Sequence, residues 1–268
     1  MTRRALSELL RRHWPLLIPA VFTVSVFHAW LTPGLLLGAD WVRRVPGELN
    51  NYAPWPHVWN GSQQLGENND PLISYYPLFA LMGLCSLAHI SWNVIERIFF
   101  FFPYLIFSVV SPYVFAYRLT RSPAGAAVAA SIWTVNTWII MASERGAIPS
   151  IVAASLLPLF FYFAIGFIER ATIRRGLGLG LLLTAILIYD LRYVYIAVIF
   201  ALVLSAEQLL RDRSLRRLRD ALLPIGVAVI TAIVANLYWI LPQFVEVSSA
   251  GAGLLARLVL APMRRRMA

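Results

Sequence analysis

The sequence predicts an all-α fold, a polytopic bundle of membrane helices with a long first external loop. Hydrophobic residues make up 59% of the 268 residues and charged residues only 13%, whereas about 25% of the residues of a soluble domain are charged. Several apolar runs exceed the roughly 20 residues that a helix needs to cross a bilayer. The arginine clusters fall between these runs, as expected for loops that connect membrane spans.

The formal net charge of +10 comes from 23 basic residues, all of them arginine. In a soluble protein this charge would suggest nucleic acid as a partner. Here the arginines lie between apolar runs, so retention of loops in the cytoplasm explains them better. The single cysteine, Cys85, excludes an internal disulfide and a thiolate metal cluster. The four histidines lack the spacing of metal ligands, so they predict no metal site.

A single transmembrane domain is predicted for residues 1–245, beginning with an uncleaved anchor. Its apolar runs cover residues 14–37, 72–90, 94–117, 124–142, 148–168, 177–206 and 222–245. The polar stretch 38–71 is the predicted external loop. The run 72–90, which polar residues interrupt, is predicted as an interfacial or re-entrant helix. A basic tail, 246–268, follows. Three glycines are expected to ease helix packing: Gly176, Gly178 and Gly180.

The positions of the arginines decide how the runs are threaded. If every run crossed, the clusters at 118–121 and 170–175 would face outward, against the excess of arginine expected in cytoplasmic loops. Both clusters fall inside if 72–90 stays at the outer face and the run 177–206 forms two segments that meet outside at Asp190. This second threading is favoured. It gathers six charged residues at the outer face: Asp40, Asp70, Glu144, Arg145, Asp190 and Arg192.

A series of short segments has a characteristic order and spacing. They are Pro46-Gly47-Glu48-Leu49, Trp59-Asn60-Gly61-Ser62-Gln63-Gln64-Leu65-Gly66, Tyr75-Tyr76-Pro77-Leu78-Phe79, Ser91-Trp92-Asn93-Val94-Ile95-Glu96-Arg97, Ser143-Glu144-Arg145-Gly146-Ala147-Ile148-Pro149 and Leu156-Leu157-Pro158-Leu159. Over residues 39–159, and more weakly to 236, the chain resembles the N-terminal part of the large α-(1→3)-arabinofuranosyltransferases of actinobacterial cell-wall assembly. Those enzymes belong to the membrane-embedded GT-C class and are far longer. The favoured threading also places the tail arginines 264–266 outside, so we expect the chain to be a truncation.

The resemblance implies a GT-C-like fold and a polyprenyl-phosphate sugar donor, with decaprenyl-phosphoryl arabinofuranose as the donor it suggests. A hydroxyl of a cell-envelope glycan would attack the anomeric carbon with inversion and release polyprenyl phosphate. A carboxylate must take the proton of that hydroxyl. Asp40 matches the first-loop acid of the family in position, and Glu144 is the second candidate. The alternative for Asp40 is an ordinary loop acid that pairs with Arg43 or Arg44, or that marks the end of the first span.

The leaving phosphate needs a fixed cation, and arginine can hold a phosphate through two hydrogen bonds. Arg145 and Arg192 are the candidates, because both are predicted on the outer side, where arginine is disfavoured. Asp190 would belong to the same substrate site. The alternatives are a Glu144–Arg145 ion pair that ends a helix, and a charged turn at Asp190 to Arg192.

The loop offers further candidates for contact with substrate. Asp70 could hydrogen-bond sugar hydroxyls or help to hold a divalent cation, and Trp59 and Tyr76 could stack on sugar faces. The alternatives are a turn at Asp70, helped by Pro71, and an aromatic belt at the membrane interface.

These expectations describe a membrane glycosyltransferase, or the N-terminal part of one, in a bacterial plasma membrane with its active face outward. Its partners would be membrane lipid, the lipid-linked donor, the glycan acceptor, and a protein partner or missing C-terminal half. The alternative is a non-catalytic membrane protein, either a lipid-linked sugar transporter or an assembly subunit. Transporters place charges at helix breaks near the membrane midplane, whereas charges at the outer interface beside a large loop favour the transferase.

Overall fold

The computed structural model describes residues 13–32, 59–60, 67–68, 76–212 and 219–241. The elements in these ranges are α1 Leu17–Val26, β1 Trp59–Asn60, β2 Glu67–Asn68, α2 Tyr76–Leu87, α3 Trp92–Glu96, α4 Phe102–Thr120, α5 Pro123–Thr134, α6 Thr137–Glu144, α7 Ile148–Glu169, α8 Ile173–Tyr189, α9 Leu191–Asp212 and α10 Arg219–Leu241. Two 3₁₀ turns, Trp14–Leu16 and His28–Trp30, flank α1, and a π-helical turn, Arg97–Phe101, joins α3 to α4. The two short strands pair antiparallel.

Five helical stretches in the described ranges are long and apolar enough to cross a membrane. They are Trp92–Thr120, Pro123–Glu144, Ile148–Glu169, Leu191–Gln208 and Arg219–Leu241. The predicted class, a helical membrane protein, is therefore confirmed. Helix α2 has 12 residues, or about 18 Å, which is too short for a hydrocarbon core of about 30 Å. Its length therefore suits the interfacial position expected for this segment.

The long apolar run 177–206 is divided at Asp190 into α8 and α9, as its charges predict. Asp190 alone connects the two helices, in an extended conformation. Helix α9 then passes back along α7, because the rings of Phe161 and Phe200 lie 3.9 Å apart between centroids. The two helices therefore form a hairpin whose tip is Asp190.

A break within the run 124–142 was not predicted. Helix α5 ends at Thr134 and α6 begins at Thr137, because Asn136 satisfies the backbone at the interruption. Its Oδ1 accepts a hydrogen bond from the backbone N–H of Ile139 at 3.0 Å, and its Nδ2 donates to the carbonyl of Trp133 at 2.7 Å. Asparagine is among the preferred N-cap residues for this reason.

The π-helical turn before α4 lies next to Pro103. Pro103 has no backbone N–H, so it cannot donate the α-helical hydrogen bond to the carbonyl of Phe99, four residues earlier. The hydroxyl of Tyr189 donates to that carbonyl at 2.7 Å. This hydrogen bond joins the π-helical turn to the end of α8.

One ion pair and one hydrogen bond define the two ends of the bundle. Arg118, near the end of α4, pairs with Glu169 at the end of α7 at 2.5 Å. Ser150, near the start of α7, hydrogen-bonds Asp190 at the tip of the α8–α9 hairpin. Helices α4 and α7 therefore run parallel, and α8 runs antiparallel to both. We call the two ends of the bundle the Arg118 end and the Asp190 end.

Helix α10 packs closely along α8. A Cβ added to Gly180 would lie 2.5 Å from the carbonyl oxygen of Ala228 and 2.8 Å from the Cβ of Thr231. Further along the same interface, Asn236 donates to the hydroxyl of Thr184 at 3.2 Å. Small residues allow this approach of two backbones, and the interface places the start of α10 at the Arg118 end.

Candidate functional site

Asp190 is a buried carboxylate at the tip of the α8–α9 hairpin, with a side chain 3% exposed. Its Oδ1 accepts a hydrogen bond from the backbone N–H of Arg192 at 2.9 Å, as an N-cap residue of α9 does. The Nε of Arg192 lies 2.9 Å from the same oxygen, and its Nη2 lies 2.6 Å from Oδ2. The guanidinium therefore binds the carboxylate through two of its nitrogens.

Ser150 completes this group from a different helix. Its hydroxyl donates to Oδ2 of Asp190 at 2.6 Å and accepts from Nη2 of Arg192 at 2.9 Å. Ser150 is buried, as the third residue of α7. The three side chains therefore form a closed network that fixes the α8–α9 tip to the start of α7.

The network determines the charge state of Asp190. Burial alone would raise the pKa of its carboxyl, but the hydrogen bonds from Arg192 and Ser150 outweigh burial and hold the pKa below its ordinary value. All the hydrogen-bond donors around Asp190 favour the anion. A carboxylate held in this way is a poor acceptor for a substrate proton, and it acts instead on the position of Arg192.

Arg192 presents its side chain to the surface of the Asp190 end, with 76% of the side chain exposed. Asp190 holds one edge of the guanidinium, and this fixes the direction in which the cation points. A fixed, exposed arginine is suited to binding an anion such as phosphate. The sequence left two alternatives here, a charged turn at Asp190 to Arg192 and a phosphate-binding role for Arg192. The structure is compatible with both at once.

Glu144 and Arg145 lie in the connection between α6 and α7, at the same end. Gly146, with φ of 80°, ends α6 in the left-handed conformation that glycine adopts readily. Ala147 donates its N–H to the carbonyl of Ala142 at 2.9 Å, as in a Schellman motif. Glu144 and Arg145 are exposed, and the described residues contain no ion pair of either side chain. The Glu144–Arg145 ion pair is therefore not formed.

A second buried carboxylate at this end, Glu96, was not singled out from the sequence. It is fully buried and lies 3.1 Å from Nη1 of Arg97. Arg97 also donates to the carbonyls of Asn93, at 2.5 Å, and Thr32. This arginine is 12% exposed. Its contact with Thr32 connects the residues that follow α1 to the end of α3. The signal that could have identified it is a pair of opposite charges at the entry to an apolar run.

The remaining predicted site residues are less informative. Asp40 and Asp70 lie outside the described residues. The backbone of Trp59 pairs with Asn68 in the short antiparallel ladder, and Tyr76 is the first residue of α2. Within the described ranges, no group of three or more His, Cys, Asp or Glu side chains could hold a metal ion.

The structure thus brings Asp190 and Arg192 together with Ser150, and places Glu144 and Arg145 at the same end of the bundle. What this arrangement offers chemically is a fixed cation, a second cation close in sequence to the start of α7, and an exposed carboxylate. Comparisons with protein-family models, with curated proteins and with solved structures found no significant match.

Proposed function

We propose that the chain is a GT-C-like membrane glycosyltransferase, or the N-terminal part of one. It would transfer a sugar, arabinofuranose by the resemblance of residues 39–159, from a polyprenyl-phosphate donor to a cell-envelope glycan. The reaction would take place at the outer face of a bacterial plasma membrane. The observation that carries the proposal is the fixed, exposed guanidinium of Arg192, held by Asp190 and Ser150 at a helix end.

The distribution of charge supports a site at the membrane surface. The charged residues of the described helices lie near helix ends, and the others of the bundle lie in the connections between helices. Thr32, six residues after the end of α1, contacts Arg97 at the Asp190 end. The polar stretch 38–71 begins six residues later in the sequence. This arrangement suits a donor headgroup held beside a large loop better than a substrate held at the membrane midplane.

The residues divide the reaction between them as follows. Arg192 and Arg145 would bind the phosphate of the donor and stabilise the charge that develops on it as the bond to the anomeric carbon breaks. Asp40, or Glu144, would take the proton of the attacking hydroxyl. Asp190 would position Arg192, a role that differs from direct contact with the sugar. The products would be the glycosylated acceptor and polyprenyl phosphate.

Binding of decaprenyl phosphate to the purified 268-residue chain in detergent tests this proposal. We expect decaprenyl phosphate to raise the melting temperature and decaprenol, which lacks the phosphate, to raise it less. Arg192→Gln and Arg145→Gln should each weaken binding about 10- to 100-fold, since each removes a charged hydrogen-bond partner of the phosphate. The matched control is Arg211→Gln, whose arginine lies at the opposite end and pairs with Glu207 on its own helix.

The two results have different meanings. If both variants bind decaprenyl phosphate as tightly as the wild-type chain, the phosphate site is not at the Asp190 end and the proposal fails. Arg192→Gln leaves Asp190 without its main partner, so the melting temperature without ligand must be compared first. A variant that melts cooperatively and still loses the ligand-induced shift supports the proposal.

One observation favours the alternative, a lipid-linked sugar transporter or assembly subunit. The apolar stretch Pro123–Glu144 is interrupted at Asn136, well inside its length, and transporters build substrate sites at interrupted helices. A transporter would bind the donor and move it between leaflets without cleaving it. Release of polyprenyl phosphate in the presence of acceptor therefore distinguishes the two functions.

A further inference from the structure

The Arg118 end carries a dense group of arginines that the proposed reaction does not use. The two connections 118–122 and 169–175 together contain five arginines and one glutamate. Arg118 pairs with that glutamate, Glu169, and lies over the ring of Tyr162 at 5.1 Å. Arg175 donates to the carbonyls of Gly166 and Arg170 at the end of α7. These two arginines therefore hold the ends of α4, α7 and α8 together.

Arg170 and Arg174 do not hold helix ends together through their side chains. Both are exposed, and within the described part of the chain neither side chain has an ion pair or hydrogen bond. The one carboxylate of these connections, Glu169, is already bound to Arg118 at 2.5 Å. Two exposed cations therefore lie four residues apart in the sequence, Arg170 at the C-cap of α7 and Arg174 in the first turn of α8. Neither is paired with a carboxylate among the described residues, and this position is suited to an anion.

An apolar stripe runs along α8 away from Arg174. Leu177, Gly178 and Leu181 follow Arg174 at intervals of three, four and seven residues, so all four share one face of the helix. Leu177 is 45% exposed and Leu181 is 53% exposed. A Cβ added to Gly178 would meet nothing within 4 Å. The face thus has a cation at one end and an open, shallow depression between two exposed leucines.

We propose that this face binds an anionic phospholipid. The headgroup phosphate lies on Arg170 and Arg174, and one acyl chain follows the α8 stripe over Gly178, between Leu177 and Leu181. A soluble anion would contact the arginines but not the apolar stripe, whereas a lipid would contact both. Basic clusters beside membrane helices bind anionic headgroups through this combination of charge and position. The site lies at the opposite end of the bundle from Arg192 and is independent of the proposed transferase reaction.

Native mass spectrometry of the full 268-residue chain tests the site. The chain is incubated in detergent with equal amounts of dioleoylphosphatidylglycerol and dioleoylphosphatidylcholine, and the retained lipids are counted. We expect preferential retention of the phosphatidylglycerol. The double variant Arg170→Gln/Arg174→Gln should lower its affinity about tenfold, because each basic residue near the surface contributes to the attraction of anionic lipid. Gly178→Leu should also lower retention, with both charges intact.

The control is Arg211→Gln/Arg219→Gln, which removes the same charge from the end of α9 and the start of α10, at the same end of the bundle. It should retain phosphatidylglycerol within about twofold of the wild-type chain if the site is specific. Equal loss in the control, or none in Arg170→Gln/Arg174→Gln, would overturn the proposal. Unchanged retention in Gly178→Leu would remove the acyl chain from the α8 stripe. Displacement of the lipid by millimolar inorganic phosphate would identify a soluble-anion site instead.

Discussion

At the scale of single residues, Asp190 is held as an anion by four donors: the backbone N–H, Nε and Nη2 of Arg192 and the hydroxyl of Ser150. An isolated carboxylate with a side chain 3% exposed would be destabilised by loss of water. The four donors replace that water. The carboxylate therefore contributes to stability only while it is ionised.

The pH dependence of stability follows from this charge state. The pKa of Asp190 lies below its ordinary value of 3.8 in the folded chain, so the ionised network stabilises the fold above about pH 4. This contribution is lost as the pH falls through the folded-state pKa. Asp190→Asn keeps an N-cap but removes the charge, and should lower the free energy of unfolding by about 1–3 kcal/mol at neutral pH. The difference from the wild-type chain should shrink below pH 4.

Unfolding of both chains in detergent between pH 3 and pH 7 measures this difference. A second variant sharpens the test. Ser150→Ala removes one of the donors that lower the pKa of Asp190, so the loss of stability in acid should begin at a higher pH than in the wild-type chain. A difference between wild type and Asp190→Asn that is constant with pH would mean that the charge of Asp190 contributes nothing to stability.

Sequence reasoning reached part of this network. Asp190 and Arg192 could be singled out because charges interrupt an apolar run, and the interruption is where the structure divides α8 from α9. Ser150 could not, because it is one of many serines and lies 40 residues from Asp190 in the chain. The pairing depends on the hairpin returning to the start of α7, which is a tertiary contact. Glu96 was missed although Arg97 beside it gives a signal, because a pair of opposite charges at the entry to an apolar run does not by itself predict complete burial.

At the scale of helices, the close contact between α8 and α10 depends on the spacing of glycines. The sequence predicts that Gly176, Gly178 and Gly180 all ease packing. The structure places Gly176 and Gly180, four residues apart, against the backbone of α10, and Gly178 on the open face. Helical periodicity explains the difference, because residues i and i+4 share a face and residue i+2 does not. The sequence could not show which of the two faces meets a neighbour.

This difference predicts opposite effects for the same substitution. In Gly180→Ala the new Cβ would lie 2.5 Å from a backbone oxygen of Ala228, so α10 must shift. We expect a loss of about 1–3 kcal/mol in the free energy of unfolding, as for other overpacked sites. Gly178→Ala is the matched control, with nothing within 4 Å of the new Cβ. It should be neutral or stabilising by up to about 1 kcal/mol, because alanine favours the helix.

Melting temperatures of the two variants in the same detergent decide the question. Equal effects of the two alanines would show that α8 and α10 do not meet at Gly180.

The break between α5 and α6 is a second feature of the helices that the sequence did not predict. Only Asn136 and the neighbouring Thr134 and Thr137 make the sequence at the break more polar, and this was too weak a signal to divide the run.

At the scale of the whole molecule, the two ends of the bundle differ in charge. Ten arginines lie in the described ranges. Seven are at the Arg118 end: Arg118, Arg121, Arg170, Arg174, Arg175, Arg211 and Arg219. Three are at the Asp190 end: Arg97, Arg145 and Arg192. Cytoplasmic ends carry the excess of arginine. The distribution of arginine along the sequence was therefore enough to favour one threading. The ion pair of Arg118 with Glu169 brings together two of the arginine clusters that this threading places in the cytoplasm.

We therefore expect the Arg118 end to face the cytoplasm, as the proposed function requires. In a Cys85→Ser background, Ser122→Cys and Thr172→Cys should react with a membrane-impermeant maleimide in inverted vesicles but not in intact cells. Glu144→Cys, at the other end, should show the reverse. Ser122 and Thr172 each cap a helix, so these substitutions should cost about 1 kcal/mol of stability, which the fold should tolerate. Labelling of Ser122→Cys and Thr172→Cys in intact cells would invert the orientation. Arg192 would then face the cytoplasm, where a donor in the outer leaflet could not reach it, and the proposed site would be on the wrong side of the membrane.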